Sequence, residues 1–124
     1  ALRRAAVRVS LFIAPDPVQI EAAREVGADA VELHTGVYCD AASPAETEHE
    51  LARLRAGASL ASRAGLQVNA GHGLRIDNVA AVARIPEIVE LNIGHSIVAR
   101  AVLVGMEAAV REMREALDRV RGGP

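Results

Sequence analysis

The chain has 124 residues, of which 51% are hydrophobic, and a formal net charge of −2, values typical of one globular domain with an apolar core. All 14 basic residues are arginines interleaved with acidic residues, which argues against a nucleic-acid-binding face. The single cysteine, Cys39, excludes an internal disulfide, and the apolar runs are too short for a membrane span or a convincing signal peptide, so we expect a cytoplasmic protein without membrane partners.

The chain alternates β-like runs with helix-like stretches, and the first run is RVSLFIA at 8–14. Asp16 can then cap a helix that begins at Pro17 and ends at Gly27. The apolar positions that recur at a four-residue spacing along this helix are Val18, Ala22 and Val26.

The second run is AVELHT at 30–35, and a long helix follows it. Ser43 or Pro44 can open this helix and Gly65 can close it. Its predicted buried face consists of Leu51, Leu54, Ala58 and Ala61. The loop between the second run and this helix contains Tyr38 and Cys39, and we assign no role to Cys39.

The third run, LQVNA at 66–70, precedes a shorter helix at about 77–84, whose inward residues are Val79, Val82 and Ala83. The fourth run, IVELNI at 88–93, is followed by a short helix near 95–103 and then by a long amphipathic helix. The predicted inner face of that last helix consists of Met106, Val110, Met113, Leu117 and Val120.

Strict alternation of strands and helices predicts an α/β protein with a parallel sheet. Four βα units could form a doubly wound sheet or half of a TIM (β/α)8 barrel. The first βα turn, APDP, lacks the glycine fingerprint of a dinucleotide-binding fold. Further evidence is therefore needed to separate the two architectures.

Side-chain alternation favours the barrel. Val31 and Leu33 should point to one side of the second strand, and Glu32 and His34 to the other. In the third strand, Val68 and Ala70 should lie on the face opposite Gln67 and Asn69. In the fourth strand, Val89 and Leu91 should lie on the face opposite Glu90 and Asn92. Covering such a polar stripe with apolar helices would cost about 1–3 kcal/mol for each unpaired group, whereas a barrel interior lets the groups pair. Residues 1–124 are therefore predicted to form a single partial domain, half of a (β/α)8 barrel with an extra short helix after the last strand.

Polar residues and glycines concentrate at the carboxyl ends of the strands, where parallel barrels carry their active sites. The turns NAGHG and NIGHS follow consecutive strands, and the second leads into the short extra helix. Glycine-rich turns and a helix N-terminus are a common way to bind phosphate. Gly73, Gly94 and His95 are therefore the candidate phosphate-binding residues, although His95 could instead cap the helix.

His72, between two glycines, can project over the barrel mouth and donate or accept a proton near neutral pH, but it could also be a turn histidine that only bonds backbone. Glu32 is a second candidate, with a structural ion pair as its alternative. The role of His34 stays open, and His49 lies among glutamates on a predicted surface. A metal site is a further alternative, but the histidines lack the spacing of a metal-binding motif.

The motifs VSLFIAPDPVQIEAAREVGADAVELHTGVYCDA, GLQVNAGHGL and IPEIVELNIGHSIVARAVLVGMEAAVREM cover nearly the whole chain. They resemble the pyridoxine 5′-phosphate synthase family of vitamin B6 biosynthesis. The resemblance implies a (β/α)8 barrel that works as a homo-oligomer, typically an octamer, without metal or organic cofactor. It also implies condensation of 1-deoxy-D-xylulose 5-phosphate with 3-amino-2-oxopropyl phosphate to give pyridoxine 5′-phosphate, phosphate and water.

By the same resemblance, His72 matches the proton-donating histidine and Glu32 the carboxylate that stabilises the transition state. Gly73, Gly94 and His95 match the binding site for the aminoketone phosphate. The motifs correspond to strands five to eight of a chain about twice as long, so the other catalytic bases have no counterpart here. We therefore expect the isolated chain to be inactive and to need a complementing N-terminal half or self-association. A non-catalytic phosphate-binding half-barrel is the alternative function.

Overall fold

The computed structural model describes residues 2–122, except for the side chains at positions 3 and 121. A short 3₁₀ turn at Leu2–Ala5 comes first. The strands are β1 (Ser10–Ile13), β2 (Ala30–His34), β3 (Gln67–Gly71) and β4 (Ile88–Asn92). The helices are α1 (Pro17–Glu25), α2 (Gly36–Cys39), α3 (Pro44–Arg63), α4 (Val79–Ala83), α5 (His95–Val104) and α6 (Met106–Arg121).

The four predicted strands form one parallel sheet in the order β1-β2-β3-β4. The strand order follows the chain order, as consecutive βα units of a barrel do, and within the described residues it never reverses. A doubly wound sheet needs such a reversal at its switch point. The doubly wound alternative is therefore not observed.

One face of the sheet carries the core. Val31 of β2 is in register with Val68 of β3, which pairs with Ile88 of β4, and all three side chains are fully buried. Leu33 and Ala70 form a second buried pair on this face. The helices pack against these side chains, so the predicted alternation is confirmed for β2 and β3.

The alternation predicted for β4 is wrong at Val89. The register of β3 and β4 shifts by one residue, because Val68 pairs with Ile88 whereas Asn69 pairs with Glu90. Val89 is the extra residue of this bulge and is 61% exposed. A bulge resets the two-residue periodicity, so Ile88 takes the buried position that the alternation assigned to Val89.

The predicted capping residues of the two longer early helices are confirmed. Asp16 Oδ1 accepts hydrogen bonds from the backbone N–H groups of Val18 (2.9 Å) and Gln19 (3.4 Å). Ser43 Oγ accepts from Glu46 N at 3.2 Å. Each cap is followed by a proline at the first helical position. The buried face of α3 contains the four predicted residues, Leu51, Leu54, Ala58 and Ala61, together with Gly57.

The predicted buried face of α1 is wrong, and that of α6 is right only in part, at Met113 and at Leu117, which packs against the core. In α1, Val18 and Val26 are 78% and 70% exposed, and the buried residues are Ile20 and Ala23. In α6, Met106 and Val110 are about half exposed. Met113 is buried as predicted, and its buried partners are Ala109 and Ala116. Apolar spacing locates a stripe on a helix, but the contacts of α1 with α3 and of α6 with α4 decide which residues are buried.

The helix predicted after the third strand is α4, which is shorter than the predicted range of about 77–84. Its residues Val79, Val82 and Ala83 are buried as expected. The turn after β2 forms the unpredicted helix α2, which buries Tyr38 and Cys39. Among the described residues, none of the helices has both the length and the apolar character that crossing a membrane requires.

Candidate active site

The five predicted site residues lie around one cleft at the carboxyl ends of β2, β3 and β4. The cleft has a volume of about 740 Å³. The predicted residues that line it are Glu32, His72, Gly73, Gly94 and His95. Further lining residues that carry polar groups or rings are Phe12, Arg75, Asn92 and Ser96. The structure therefore brings together the acid, the imidazoles and the helix terminus that the sequence pointed to.

His72 has an unusual backbone conformation. Its φ is 83°, in the left-handed region, although it has a Cβ, and the following Gly73 also has a positive φ of 77°. A non-glycine residue in this region costs on the order of 1–3 kcal/mol, and such residues cluster at active sites. The conformation directs the exposed side chain of His72 into the cleft.

The imidazole of His72 belongs to a cluster of three rings. It stacks on the His34 ring, with 4.8 Å between ring centroids and 27° between planes. Phe12 meets the His34 ring edge-on at 5.2 Å and lies 6.4 Å from the His72 ring. Gly36 leaves room for this stack, because a Cβ there would collide with His34 and lie 3.1 Å from His72 Cδ2. The rings thus fix the His72 side chain from one side.

Glu32 is half-buried on the face of the sheet opposite the core. Its Oε2 accepts a hydrogen bond from Asn92 Nδ2 at 2.8 Å. Gly71, between the two on β3, makes this contact possible, because a Cβ there would collide with Glu32 Oε1 and lie 3.1 Å from Asn92 Cβ. The observed partner of Glu32 is a neutral amide rather than the cation of the alternative interpretation. The carboxylate is thereby oriented toward the cleft without being neutralised.

The N-terminus of α5 forms the opposite wall of the cleft. Gly94 is the N-cap residue, and a Cβ at this position would have no heavy atom within 4 Å. His95 begins the helix and is exposed to the cleft. Ser96 Oγ donates to Leu74 O at 2.6 Å, which ties this helix to the turn after β3. Free N–H groups and the positive end of the helix dipole make such a terminus attractive to a phosphate group.

Several residues at the cleft are not among the predicted site residues, namely Phe12, Arg75, Asn92 and Ser96. The sequence also predicts no definite role for His34. The register pairs Phe12 with Glu32, so the alternation of β1 could have indicated that its ring belongs on this face. The bond from Asn92 to Glu32 spans 60 residues and had no local signal.

Two further titratable residues lie near the ring cluster. His49 is exposed on α3, as predicted, with its Nε2 3.9 Å from Glu50 Oε1, and it lines a second cavity together with His34 and His72. Cys39 is buried, and this burial raises the pKa of its thiol. In the part of the chain that the structure describes, no three histidine, cysteine or acidic side chains are arranged to hold a metal ion.

Comparison with known proteins gives a consistent result. A family model described as pyridoxal phosphate biosynthesis protein PdxJ matches residues 1–119. A protein named pyridoxine 5′-phosphate synthase from Synechococcus sp. is 58% identical over 116 residues, which are 94% of this chain and 48% of that protein.

Proteins with the same name from Idiomarina loihiensis and Neisseria meningitidis are 54% and 55% identical over 120 residues. In both cases the match covers 97% of this chain and 50% of the other protein. The chain thus spans about half the length of the curated relatives that it matches.

Proposed function

The chain belongs to the family of the pyridoxal phosphate biosynthesis protein PdxJ, and we propose that it supplies one half of the active site of a pyridoxine 5′-phosphate synthase. The proposed reaction condenses 3-amino-2-oxopropyl phosphate with 1-deoxy-D-xylulose 5-phosphate, as the family resemblance implies. Its products are pyridoxine 5′-phosphate, inorganic phosphate and water. The observation that carries the proposal is the convergence of Glu32, His72 and the α5 N-terminus on one cleft.

His72 is proposed to donate a proton to the reacting substrate. Its imidazole is exposed in the cleft and held by the His34 ring, so it can both reach a substrate and keep a defined direction. Imidazole exchanges protons close to neutral pH, which suits a condensation that eliminates water. The left-handed backbone of His72 supports a functional role, because its energetic cost is otherwise unexplained.

Glu32 is proposed to stabilise positive charge that develops on the amine-derived part of the transition state. Its carboxylate lines the cleft, and its hydrogen-bond partner there is the neutral Asn92 amide rather than a cation. A fixed carboxylate in a partly enclosed cleft stabilises charge without having to reorganise during the reaction.

The phosphate of the aminoketone substrate is proposed to bind between the two glycine-bearing turns. Gly94 and His95 supply the start of α5, and Gly73 supplies the turn after β3. Inorganic phosphate bound at this place would lie within the same cleft as His72 and Glu32. Substrate binding and proton transfer would therefore use one set of strand ends.

The fold that completes this site is proposed to be a (β/α)8 barrel. The chain spans half the length of its relatives, and one face of its sheet is left without covering helices in the described residues. A complementary N-terminal half would close the sheet and add the remaining catalytic groups. The proposal includes a homo-oligomeric assembly in the cytoplasm, as expected for the family, with no metal or organic cofactor.

A chimeric enzyme tests the proposal. This chain would replace the matching half of the Neisseria meningitidis synthase, and formation of pyridoxine 5′-phosphate would be measured with both substrates. The chimera should turn over, and His72→Asn should lower kcat by about 10²–10⁴-fold because the proton donor is lost. Arg63→Gln, at an exposed position near the end of α3, is the control and should leave kcat unchanged.

A folded chimera without product formation would contradict the catalytic proposal. Titration with inorganic phosphate then separates the two functions. If the inactive chimera still binds phosphate at the α5 N-terminus, the non-catalytic phosphate-binding function is supported instead.

A further inference from the structure

The strained conformation of His72 requires something to hold it. The φ of 83° is unfavourable for histidine, and its exposed side chain contributes little burial that could offset the cost. Such conformations persist only where surrounding contacts determine them. The relevant contacts are those made by the carbonyl groups of Gly71 and His72.

Thr35 contacts both carbonyl groups. Its side chain is fully buried, and its Oγ1 lies 2.7 Å from Gly71 O and 2.5 Å from His72 O. The backbone N–H of Thr35 also donates to Gly71 O, at 2.9 Å. One residue at the end of β2 therefore contacts the peptide groups on both sides of the His72 Cα.

The direction of the Thr35 hydroxyl is informative. Thr35 is the N-cap residue of α2, where a threonine normally uses its side-chain oxygen to accept from the first turn of the helix. Here its side chain makes no capping hydrogen bond. The hydroxyl instead contacts the turn after β3. The N-terminus of α2 therefore has no side-chain cap, and the hydroxyl contacts the His72 carbonyl group.

Cys39 adds a second, weaker contact to the same carbonyl group. Its Sγ lies 3.6 Å from His72 O. Gly73 permits this approach, because a Cβ there would lie 2.9 Å from Cys39 Cβ. Burial raises the pKa of the thiol, so it keeps the proton that it donates.

We propose that Thr35 is a positioning residue, whose hydroxyl holds His72 in the left-handed conformation and thereby sets its imidazole against the His34 ring over the cleft. This inference rests on the proposed function of His72 for its catalytic meaning, but its structural part is independent of any activity. Thr35 acts through the backbone of His72 and does not touch the cleft, since its side chain is fully buried.

Nuclear magnetic resonance on the complete 124-residue chain tests the structural part. Thr35→Val keeps the shape of the side chain and removes the hydroxyl, and Thr35→Ser keeps the hydroxyl. Thr47→Val is the matched control, because Thr47 Oγ1 makes the same kind of bond to Ser43 O, at 2.9 Å, in α3. The readouts are the nuclear Overhauser effect between the His34 and His72 rings and the ring chemical shifts.

We expect Thr35→Val to abolish the contact between the two rings, and Thr35→Ser and Thr47→Val to retain it. A folded Thr35→Val chain with the ring contact and shifts of the unmodified chain would overturn the proposal. A purely structural role would lower stability without changing the ring contact in the folded protein.

If Thr35→Val does not fold, the double variant with His72→Gly provides the test. Glycine adopts positive φ without the steric cost, so the second change should restore folding if Thr35 serves to hold His72. A double variant as unstable as Thr35→Val alone would contradict the proposal.

The chimeric enzyme separates this inference from the proposed function. Thr35→Val should lower its kcat by up to about a hundredfold with little change in KM, because the imidazole is misplaced while the phosphate site is intact. If the chimera without the Thr35 substitution is inactive, but Thr35→Val still abolishes the contact between the His34 and His72 rings, only the proposed function is refuted. An active Thr35→Val chimera with unchanged kcat would refute the positioning role alone.

Discussion

Each of the two proposed catalytic side chains, His72 and Glu32, is oriented by a neighbouring side chain. The His34 ring supports His72 at 4.8 Å, and the Asn92 amide holds Glu32 at 2.8 Å. Both arrangements depend on a glycine that leaves room for them, Gly36 in the first case and Gly71 in the second. The orientation of both side chains is therefore set by contacts within the described part of the chain.

Glu32→Gln tests the charge of the carboxylate separately from its shape. Glutamine can still accept the hydrogen bond from Asn92, so the side chain should keep its place while losing its charge. In the chimeric enzyme we expect kcat to fall by about 10²–10³-fold, as for the loss of one preorganised electrostatic contact. Glu90→Gln removes an exposed carboxylate from the same face of the sheet and serves as the matched control. Equal effects of the two changes would argue against a specific role for Glu32.

The Cys39 thiol gives a prediction with a defined pH dependence. Burial raises its pKa, so the folded chain keeps the proton at a pH where the unfolded thiol has already lost it. This contribution to stability is present below the pKa of the unfolded thiol and is lost as the pH rises through the folded value. The free energy of unfolding, measured with urea from about pH 8 upward, should fall with pH more steeply than in Cys39→Ala. Burial also raises the pKa of Tyr38, but this residue is present in both chains, so the difference between the two profiles belongs to Cys39. Parallel profiles would contradict a raised pKa of the Cys39 thiol.

At the scale of single elements, contacts between helices and turns position the βα units relative to one another. Pro15, in the turn before α1, packs against Gly57 in the middle of α3. Farther along the chain, Arg100 of α5 binds Glu112 of α6 through two hydrogen bonds of 2.8 and 2.9 Å. The first contact joins the first two βα units, and the second joins α5, which begins at the proposed phosphate site, to the last helix.

Gly57→Ala should destabilise the chain although alanine is the better helix former. An added Cβ would lie 2.9 Å from Pro15 Cβ and 3.1 Å from its Cα, so α3 or the turn would have to move. We expect a loss of about 1–3 kcal/mol in the free energy of unfolding, as for overpacking in a core. The matched control is Ala56→Gly, at an exposed position of the same helix, which should cost about 1 kcal/mol through helix propensity alone. A Gly57→Ala variant that is more stable than the unmodified chain would show that the contact with Pro15 can relax.

At the scale of the whole molecule, the sheet is covered on one side. The face opposite the core carries Glu32, His34 and the 55%-exposed ring of Phe12. Exposed apolar side chains also lie on the last two helices, including Val102, Leu103 and Met106. Surfaces of this kind are usually covered in a complete assembly. The strands at both edges of the described sheet present backbone groups that can pair with further strands.

This architecture predicts complementation. The half of the Neisseria meningitidis synthase that this chain does not match should bind the chain when both are refolded together, because strands of that half can pair with the edge strands β1 and β4. Size-exclusion chromatography with light scattering should show a complex containing one copy of each half or a multiple of it, and self-associated species for the chain alone. A monomeric chain that unfolds in one sharp transition and ignores the other half would contradict the prediction.

Much of this protein follows from local features of its sequence. The four strands, the caps at Asp16 and Ser43, the buried face of α3 and the glycine-bearing turns around His72 all depend on periodicity or on contacts between near neighbours. Such features require few residues to specify them, so they can be predicted before the fold is known. The same features located the candidate site residues, because parallel strands end at a common edge.

The tertiary structure alone decided which side chains meet there. The bond between Asn92 and Glu32, the stack of His34 on His72 and the contact of Thr35 with the His72 carbonyl group each join separate βα units. The bulge at Val89 and the buried faces of α1 and α6 were likewise decided by packing against neighbouring elements. These features depend on strand register and on the distance between packed elements, and a single segment of sequence contains neither quantity.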